Sequence, residues 1–379
     1  MIPLCIPNLG GNEARYLVEC VDTNFVSSVG PFVDRFEEEL REVTGARFAV
    51  ATASGTAGLH VALLAAGVGR DDLVLLPSFT FIASANAIAH CGADPWLLDV
   101  SEASWTLDPE AVERTLATET ESSNGGLRHR ATGRRVAAIM PVYTLGLPAD
   151  MDRLVALAND YALPVVADAA AAIGARYKDR SPGCLGAQLE VLSFNGNKTV
   201  TCGGGGAVLA SDEQLARLVR HLTTTARVSD AYDHDRVGFN YRMTNLHAAL
   251  GCAQLEQLES FVAAKRRIAE TYNHALADLP GVRVFPAPPW ANGARWFSGL
   301  ALVDRRAAEV VPRLQERGVD ARPFWKPLTL QAPYRDCPRA PTPVTDRIWP
   351  TVLTLPCSTA LTRTDQDAVI NAVRAVLID

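Results

Sequence analysis

Basic clusters are what this sequence lacks first. Lys and Arg number 36 against 42 Asp and Glu, the net charge is −6, and no Lys/Arg block gathers anywhere. A phosphate-backbone partner requires a basic face, so nucleic acid is excluded. No stretch reaches the roughly 18 apolar residues of a membrane span, and Met1-Ile-Pro-Leu-Cys-Ile-Pro7 lacks a basic segment with an apolar run behind it. The expectation is a cytoplasmic enzyme with no membrane partner. The 8 cysteines, at 5, 20, 91, 184, 202, 252, 337 and 357, include no Cys-x-x-Cys pair. They read as reduced, mostly buried thiols, not as a metal knuckle or a disulfide framework. Also missing are a Gly-x-Gly-x-x-Gly after a strand, a Walker lysine loop and a His-Glu-x-x-His helix. The acidic group Asp230, Asp233, His234 and Asp235 reads as a solvated loop, with no metal expected.

What is present is an ordinary globular balance, 48% apolar and 21% charged over 379 residues, long enough for two or three domain-sized units. The first two thirds alternate short β-branched apolar runs with longer amphipathic stretches, which predicts βα units around a largely parallel sheet and an α/β fold class. The predicted strands are Phe48 to Thr52, Leu73 to Leu76, Pro95 to Val100, Val136 to Met140, Pro164 to Ala167, Val191 to Phe194 and Ala207 to Ala210. Predicted helices run from Thr56 to Ala66, Ile82 to His90, Asp150 to Tyr161 and Asp212 to Thr223. Residues 118–135, rich in turn formers and charge, read as an exposed loop. Residues 244–276 read as one long helix, with Leu246, Leu250, Leu255, Leu258, Val262 and Ile268 on one face. The remainder suits a smaller α+β domain, with strands at Val282 to Val284 and Trp296 to Leu302 and helices at Arg306 to Arg317 and Thr364 to Leu377. The expected division is residues 1–250 and residues 251–379.

Ligands of an open α/β sheet gather at the carboxyl ends of its strands. Four such ends carry candidate chemistry. Ser54-Gly55-Thr56 opens a helix and offers free N–H groups to a phosphate, although Ser and Thr there equally serve as caps. Asp168 ends a strand and suits a cationic ring nitrogen, with a helix cap as the alternative. Lys198 sits between the strand ending at Phe194 and the run Gly203-Gly-Gly-Gly206, where a backbone can approach a ligand closely. Thirty residues separate it from Asp168, about one strand-loop-strand unit, so both can reach one cleft. Phe79-Thr-Phe81 supplies an aromatic ring for a planar cofactor or for the core.

Taken together, Ser54-Gly-Thr-Ala, Phe79-Thr-Phe81, Asp168-Ala-Ala, Ser193-Phe-Asn-Gly-Asn-Lys198 and Gly238-Phe-Asn-Tyr-Arg-Met-Thr-Asn245 resemble the DegT/StrS family of sugar aminotransferases. Ile6-Pro-Asn-Leu-Gly-Gly-Asn-Glu13, Val26-Ser-Ser-Val-Gly30 and Arg322-Pro-Phe-Trp-Lys-Pro327 are similar to its LegC-type branch. The resemblance implies a fold-type-I enzyme dependent on pyridoxal 5'-phosphate, in which residues 1–250 bind the cofactor. It also implies a homodimer with shared active sites. The implied donor is L-glutamate, and the implied acceptor is a nucleotide-linked keto-sugar aminated at C4, a UDP-linked 4-keto-6-deoxy-N-acetylhexosamine in that branch. A GDP- or dTDP-linked keto-sugar or a keto-cyclitol is the alternative acceptor.

Carried over by position, Lys198 is the Schiff-base lysine and Asp168 the partner of the pyridinium nitrogen. Gly55, Thr56 and Ser193 hold the phosphate, Phe81 covers the ring, and Asn240 reaches the phosphate of the neighbouring subunit. Two positions depart from the family pattern: Ala171 stands where relatives carry Gln, His or Glu, and Thr329 where many carry His. These departures motivate a minority reading as a catalytically weakened cofactor-binding protein. Sugar dehydratases of the same fold typically replace the lysine by histidine, so Lys198 argues against dehydration.

Overall fold

The computed structural model describes residues 1–123 and 125–378. Seven strands build the main sheet: β1 (Phe48–Thr52), β2 (Leu73–Pro77), β3 (Asp94–Leu98), β4 (Val136–Ile139), β5 (Val166–Asp168), β6 (Leu189–Ser193) and β7 (Gly206–Ala210). Their order is β3-β2-β4-β5-β6-β7-β1. β2 lies parallel to β3 and β4, β5 parallel to β6, and the bridges Ile139–Val165 and Val142–Asp168 join β4 to β5. Of these seven, only β7 runs the other way, antiparallel to both β6 and β1.

Both faces of this sheet are covered, which is why its strands are almost continuously apolar in sequence. Leu73 and Leu75 enter a cluster with Phe36 and Trp96, while Val74 and Leu76 enter another with Leu59 and Leu63. The covering helices include α1 (Pro31–Thr44), α2 (Gly55–Ala65) and α3 (Ile82–His90). Because six strands share one direction and β7 opposes them, the carboxyl ends of β1, β2, β4, β5 and β6 and the start of β7 all open on the same edge.

Two expectations are corrected. Residues 118–135 are not simply a loop: Thr120–Ser123 pairs antiparallel with Gly126–His129, and Asn124 lies outside the described residues. The stretch 244–276 is two helices, α4 (Asn245–Leu255) and α5 (Leu258–Leu276), interrupted at Glu256 and Gln257. The break has a tertiary cause. Glu256 accepts from Tyr16 (2.5 Å), Asn12 (2.6 Å) and Arg35 (2.9 Å), so its side chain is drawn to the N-terminal segment.

Helix α5 passes from one core to the other. Leu258, Phe261 and Val262 belong to the sheet core, whereas Ile268, Tyr272 and Leu276 pack into a second one. That second core lies against the antiparallel strands β8 (Val282–Val284), β9 (Ser298–Leu302), β10 (Arg322–Pro323) and β11 (Val352–Leu355), ordered β8-β9-β11-β10. Helices Ala307–Glu316 and Arg363–Ile378 close it with Leu314, Val369 and Val373. The first residues of the chain join this unit: Ile2 exchanges backbone hydrogen bonds with Gly318 and Asp320, and Cys357 N–H donates to Leu4 C=O at 2.8 Å. Among the described residues, no helix is long and apolar enough to cross a membrane.

Candidate active site

The shared strand edge borders a cavity of about 730 Å³, within the range of small-molecule sites. Its walls come from the strand ends, with Ser54 to Thr56, Phe81, Asp168, Ala171, Ser193 and Lys198 among them, from Pro3 to Ile6, and from the second unit through Trp296, Arg322 and Trp325.

Asp168 is 6% exposed at the end of β5. Its oxygens accept from Ser84 Oγ at 2.7 Å and from Ala170 N–H at 3.0 Å. No helix follows it, so the cap alternative falls away. Burial pushes its carboxyl above the usual range, opposed by these two donors and by the charge of Lys198. Two neutral donors leave a buried carboxylate short of a cationic partner, which suits a ring nitrogen that needs to stay protonated.

Lys198 stands in the turn after β6, its N–H bonded to Asn195 C=O at 2.9 Å. Burial lowers its ammonium to about 8, partly countered by Asp168 and Cys5. Its Nζ lies 3.7 Å from the centre of the Trp296 ring. That indole N–H donates to Asn197 C=O at 2.7 Å, so one tryptophan fixes both the lysine head and the turn carrying it.

At the start of α2, Ser54 is a true cap, accepting from Ala57 N–H at 3.0 Å. Capping and ligand binding are compatible here, because Gly55 and Thr56 remain on the cavity wall at the positive helix end. A Cβ on Gly55 would stand 2.8 Å from Ser193 Cβ, and one on Gly206 would stand 2.6 Å from Gly55 N. Glycine at both positions lets three backbone segments converge into a cradle. The cavity therefore offers an amine, a buried acid and a helix-end anion site, the set that pyridoxal 5'-phosphate requires.

Phe81 is 53% exposed at the mouth, its ring 5.9 Å from that of Trp325. Phe79 is fully buried against Trp105 and Phe324 and serves the core. Asn240 is exposed and lies outside the wall of its own chain's cavity. Ala171 presents its methyl to the cavity. Thr329 is buried away from that wall, and its hydroxyl has no partner among the described residues. The acidic loop pairs internally: Asp230 with Arg227, Asp235 with His221 and Asp233 with Ser229. Sequence reasoning missed Ser84, Trp296 and Cys5 as parts of the site; only spatial assembly brings them in.

The sequence matches the profile of the DegT/DnrJ/EryC1/StrS aminotransferase family over residues 7–374. It is 35% identical to a GDP-perosamine synthase of Caulobacter vibrioides, covering 100% of this chain and 98% of that protein. It is 38% identical to EpsN of Bacillus subtilis, assigned there as a pyridoxal phosphate-dependent aminotransferase, over 87% of this chain and 83% of that one. Among solved structures, DesV of S. venezuelae in complex with a ketimine intermediate superposes with a TM-score of 0.86 at 31% identity, covering 96% of this chain and 94% of that one.

Proposed function

The chain belongs to the DegT/DnrJ/EryC1/StrS aminotransferase family, and from that premise we propose that it transfers an amino group from L-glutamate to C4 of a nucleotide-linked 4-keto-6-deoxy sugar. It is a pyridoxal-phosphate-dependent aminotransferase of fold type I. The convergence of Lys198 and Asp168 on one cavity edge carries the reading.

The residue roles, carried over by motif position and supported by the geometry of the cavity, are part of the proposal. Bound pyridoxal 5'-phosphate supplies an electron sink for the carbon that exchanges its amino group. Lys198 is the covalent attachment point and, once released, the base and acid that moves a proton at its Nζ. A buried lysine near 8 holds an appreciable neutral fraction at neutral pH and can still return the proton. Asp168 keeps the ring nitrogen charged, with Ser84 and Ala170 N–H fixing the direction of its oxygens. Gly55, Thr56 and the Ser193 hydroxyl hold the phosphate, and Phe81 shields the ring face. Asn240, exposed and outside the lining of its own chain's cavity, serves the neighbouring subunit's phosphate in a homodimer.

The Arg322-to-Trp325 segment supports a polar, ring-bearing acceptor, since it adds one guanidinium and stacked Phe324 and Trp325 rings 4.2 Å apart. Motif likeness to the LegC-type branch favours a UDP-linked N-acetylhexosamine. The GDP-perosamine synthase relative favours a GDP-linked sugar. Incubation of the holoenzyme and L-glutamate with both 4-keto-6-deoxy sugar nucleotides separates the two. An amino-sugar nucleotide from either supports the reaction class, and the faster one assigns the nucleotide. Turnover of neither, or loss of the C3 hydroxyl in place of amination, overturns it.

A further inference from the structure

Beneath the Lys198 turn lies a buried group that amino transfer does not use. Lys265, on α5, is 1% exposed. Its Nζ contacts Cys357 C=O (2.7 Å), Trp296 C=O (2.9 Å), Cys5 Sγ (3.5 Å) and Cys357 Sγ (3.7 Å). None of these four is a carboxylate. A buried ammonium surrounded only by neutral acceptors is costly, and the two sulfurs are the groups able to supply a negative charge. Both thiols therefore meet at one ammonium, Cys5 Sγ at 3.5 Å and Cys357 Sγ at 3.7 Å from Lys265 Nζ. Cys357 is lowered, chiefly by its neighbour Cys5 and also by Lys265, while Cys5 is raised. A negative charge facing Lys265 is therefore favoured on Cys357, with the proton on Cys5.

The placement of this pair is informative. Residues 4–6 lie along residues 357–358, held by Cys357 N–H to Leu4 C=O (2.8 Å) and Ile6 N–H to Ser358 Oγ (3.0 Å). Cys357 is fully buried, but Cys5 is partly exposed and lines the cavity. The Cys5 thiol lies 3.4 Å from Asn197 C=O, the residue before Lys198. A small oxidant entering the cavity thus meets Cys5, while Cys357 is reached only past the wall.

We propose that Cys5 and Cys357 form a redox-active dithiol, a modification site on the cavity wall that reacts with small peroxides and closes to a disulfide. The steps balance with hydrogen peroxide as oxidant. As its proton passes to Cys357, the Cys5 sulfur attacks one peroxide oxygen; an S–O bond forms, the O–O bond breaks, and the departing hydroxide takes up a proton as water. Cys357, giving up its proton, then attacks the Cys5 sulfur; the S–S bond forms, the S–O bond breaks, and the second hydroxide leaves as water. The thiolate and the thiol together lose two electrons, and one peroxide, with the pair's proton and one proton from solvent, becomes two waters. A dithiol reductant reverses the change, as expected of a disulfide in a reducing compartment.

Closure removes the thiol from Asn197 C=O and the negative charge from Lys265. Because Lys265 also holds Trp296 C=O, the change reaches the ring against which Lys198 rests. This consequence rests on the proposed role of Lys198; the dithiol itself does not.

The test treats holoenzyme with hydrogen peroxide, blocks free thiols by alkylation and maps peptides by mass spectrometry. The expected product is a Cys5–Cys357 linked peptide, lighter by two hydrogens and reopened by dithiothreitol. A severalfold loss of the glutamate half-reaction should accompany it and recover on reduction. Exposed Cys184 reports general thiol oxidation in the same sample. Cys5→Ser should abolish both the link and the reversible loss; it leaves the buried Cys357 in place, so the test survives if Cys357→Ser fails to fold. Alkylatable Cys5 and Cys357 after Cys184 has oxidised, an irreversible acid on Cys5 alone, or a Lys265–cysteine crosslink overturns the proposal. Peptide mapping needs no sugar substrate, so a wrong acceptor assignment leaves its outcome untouched.

Discussion

Ser84 donates its hydroxyl to Asp168 at 2.7 Å, joining a side chain of α3 to the carboxylate that ends β5. Thr80 Oγ1 lies 3.0 Å from Ser84 Oγ and holds the hydroxyl in line. Ser84→Ala leaves Asp168 with the Ala170 N–H alone and raises its carboxyl further. A hydrogen bond to a charged group is worth about 1.5–3 kcal/mol, so the glutamate half-reaction should slow by about tenfold or more. Stopped-flow spectra measure this, and Ser84→Thr, which keeps the hydroxyl, should recover most of the rate.

Lys198 carries a pH signature. Burial depresses its ammonium to about 8, and only the neutral amine attacks an aldehyde. At pH 7 about a tenth is neutral, against about three in ten thousand for an unperturbed lysine. Capture of pyridoxal 5'-phosphate by the apoenzyme should therefore accelerate as pH rises and level off above about 8. Between pH 8 and the unfolded lysine value the unfolded chain binds more protons at this group, so it contributes stability that rises with pH over that window and is lost as pH falls. A rate still climbing steeply above pH 9 by absorbance would contradict this.

The cradle at the start of α2 is sterically tight. Gly55→Ala places a methyl 2.8 Å from Ser193 Cβ, so the strand end and the helix must separate. Weaker retention of the cofactor, by about tenfold in equilibrium dialysis, is the expected outcome at a cost of about 1.4 kcal/mol.

Glu37 anchors α1 beneath the cavity edge. Its carboxylate accepts from Arg242 (2.7 Å), Arg220 (2.6 Å) and Ala51 N–H (2.8 Å), and the residue is 7% exposed. Glu37→Ala leaves the largely buried Arg242 guanidinium unmatched, while exposed Arg220 turns to solvent, and should lower stability by about 3 kcal/mol, read from denaturant midpoints.

The role given to Asn240 requires two subunits. Chains carrying Lys198→Ala and chains carrying Asn240→Ala should each be poorly active alone. Mixed after unfolding and refolding, they should regain activity, because each mixed dimer holds one site with both residues intact. No recovery despite dimers in sedimentation would show that Asn240 acts elsewhere.

Much of this architecture was legible in the sequence, and for physical reasons. Phe48–Thr52 and Ile82–His90 occur with the expected bounds because a doubly covered strand is apolar throughout and a small-residue helix after Phe81 has a clear start. The hairpin Thr120–Ser123 with Gly126–His129 was not legible, since it is held by backbone pairing without apolar alternation. The break after Leu255 was hidden too, because the apolar stripe continues across it while Glu256 answers to residues far earlier in the chain. The same distinction divides the site. Lys198 and Asp168 stand at strand ends, where topology puts ligands. Ser84, Trp296 and Cys5 reach it through contacts spanning 84, 99 and 192 residues, for which no local pattern exists.

The central claim is that Lys198 holds the cofactor. The sequence has four lysines, at 178, 198, 265 and 326, so borohydride reduction of the holoenzyme followed by peptide mapping gives a clear answer. The account predicts one pyridoxyl-phosphate adduct per chain, on Lys198, and none in Asp168→Ala protein that has lost its cofactor. An adduct on Lys265 or another lysine, or full turnover by Lys198→Ala, would contradict it.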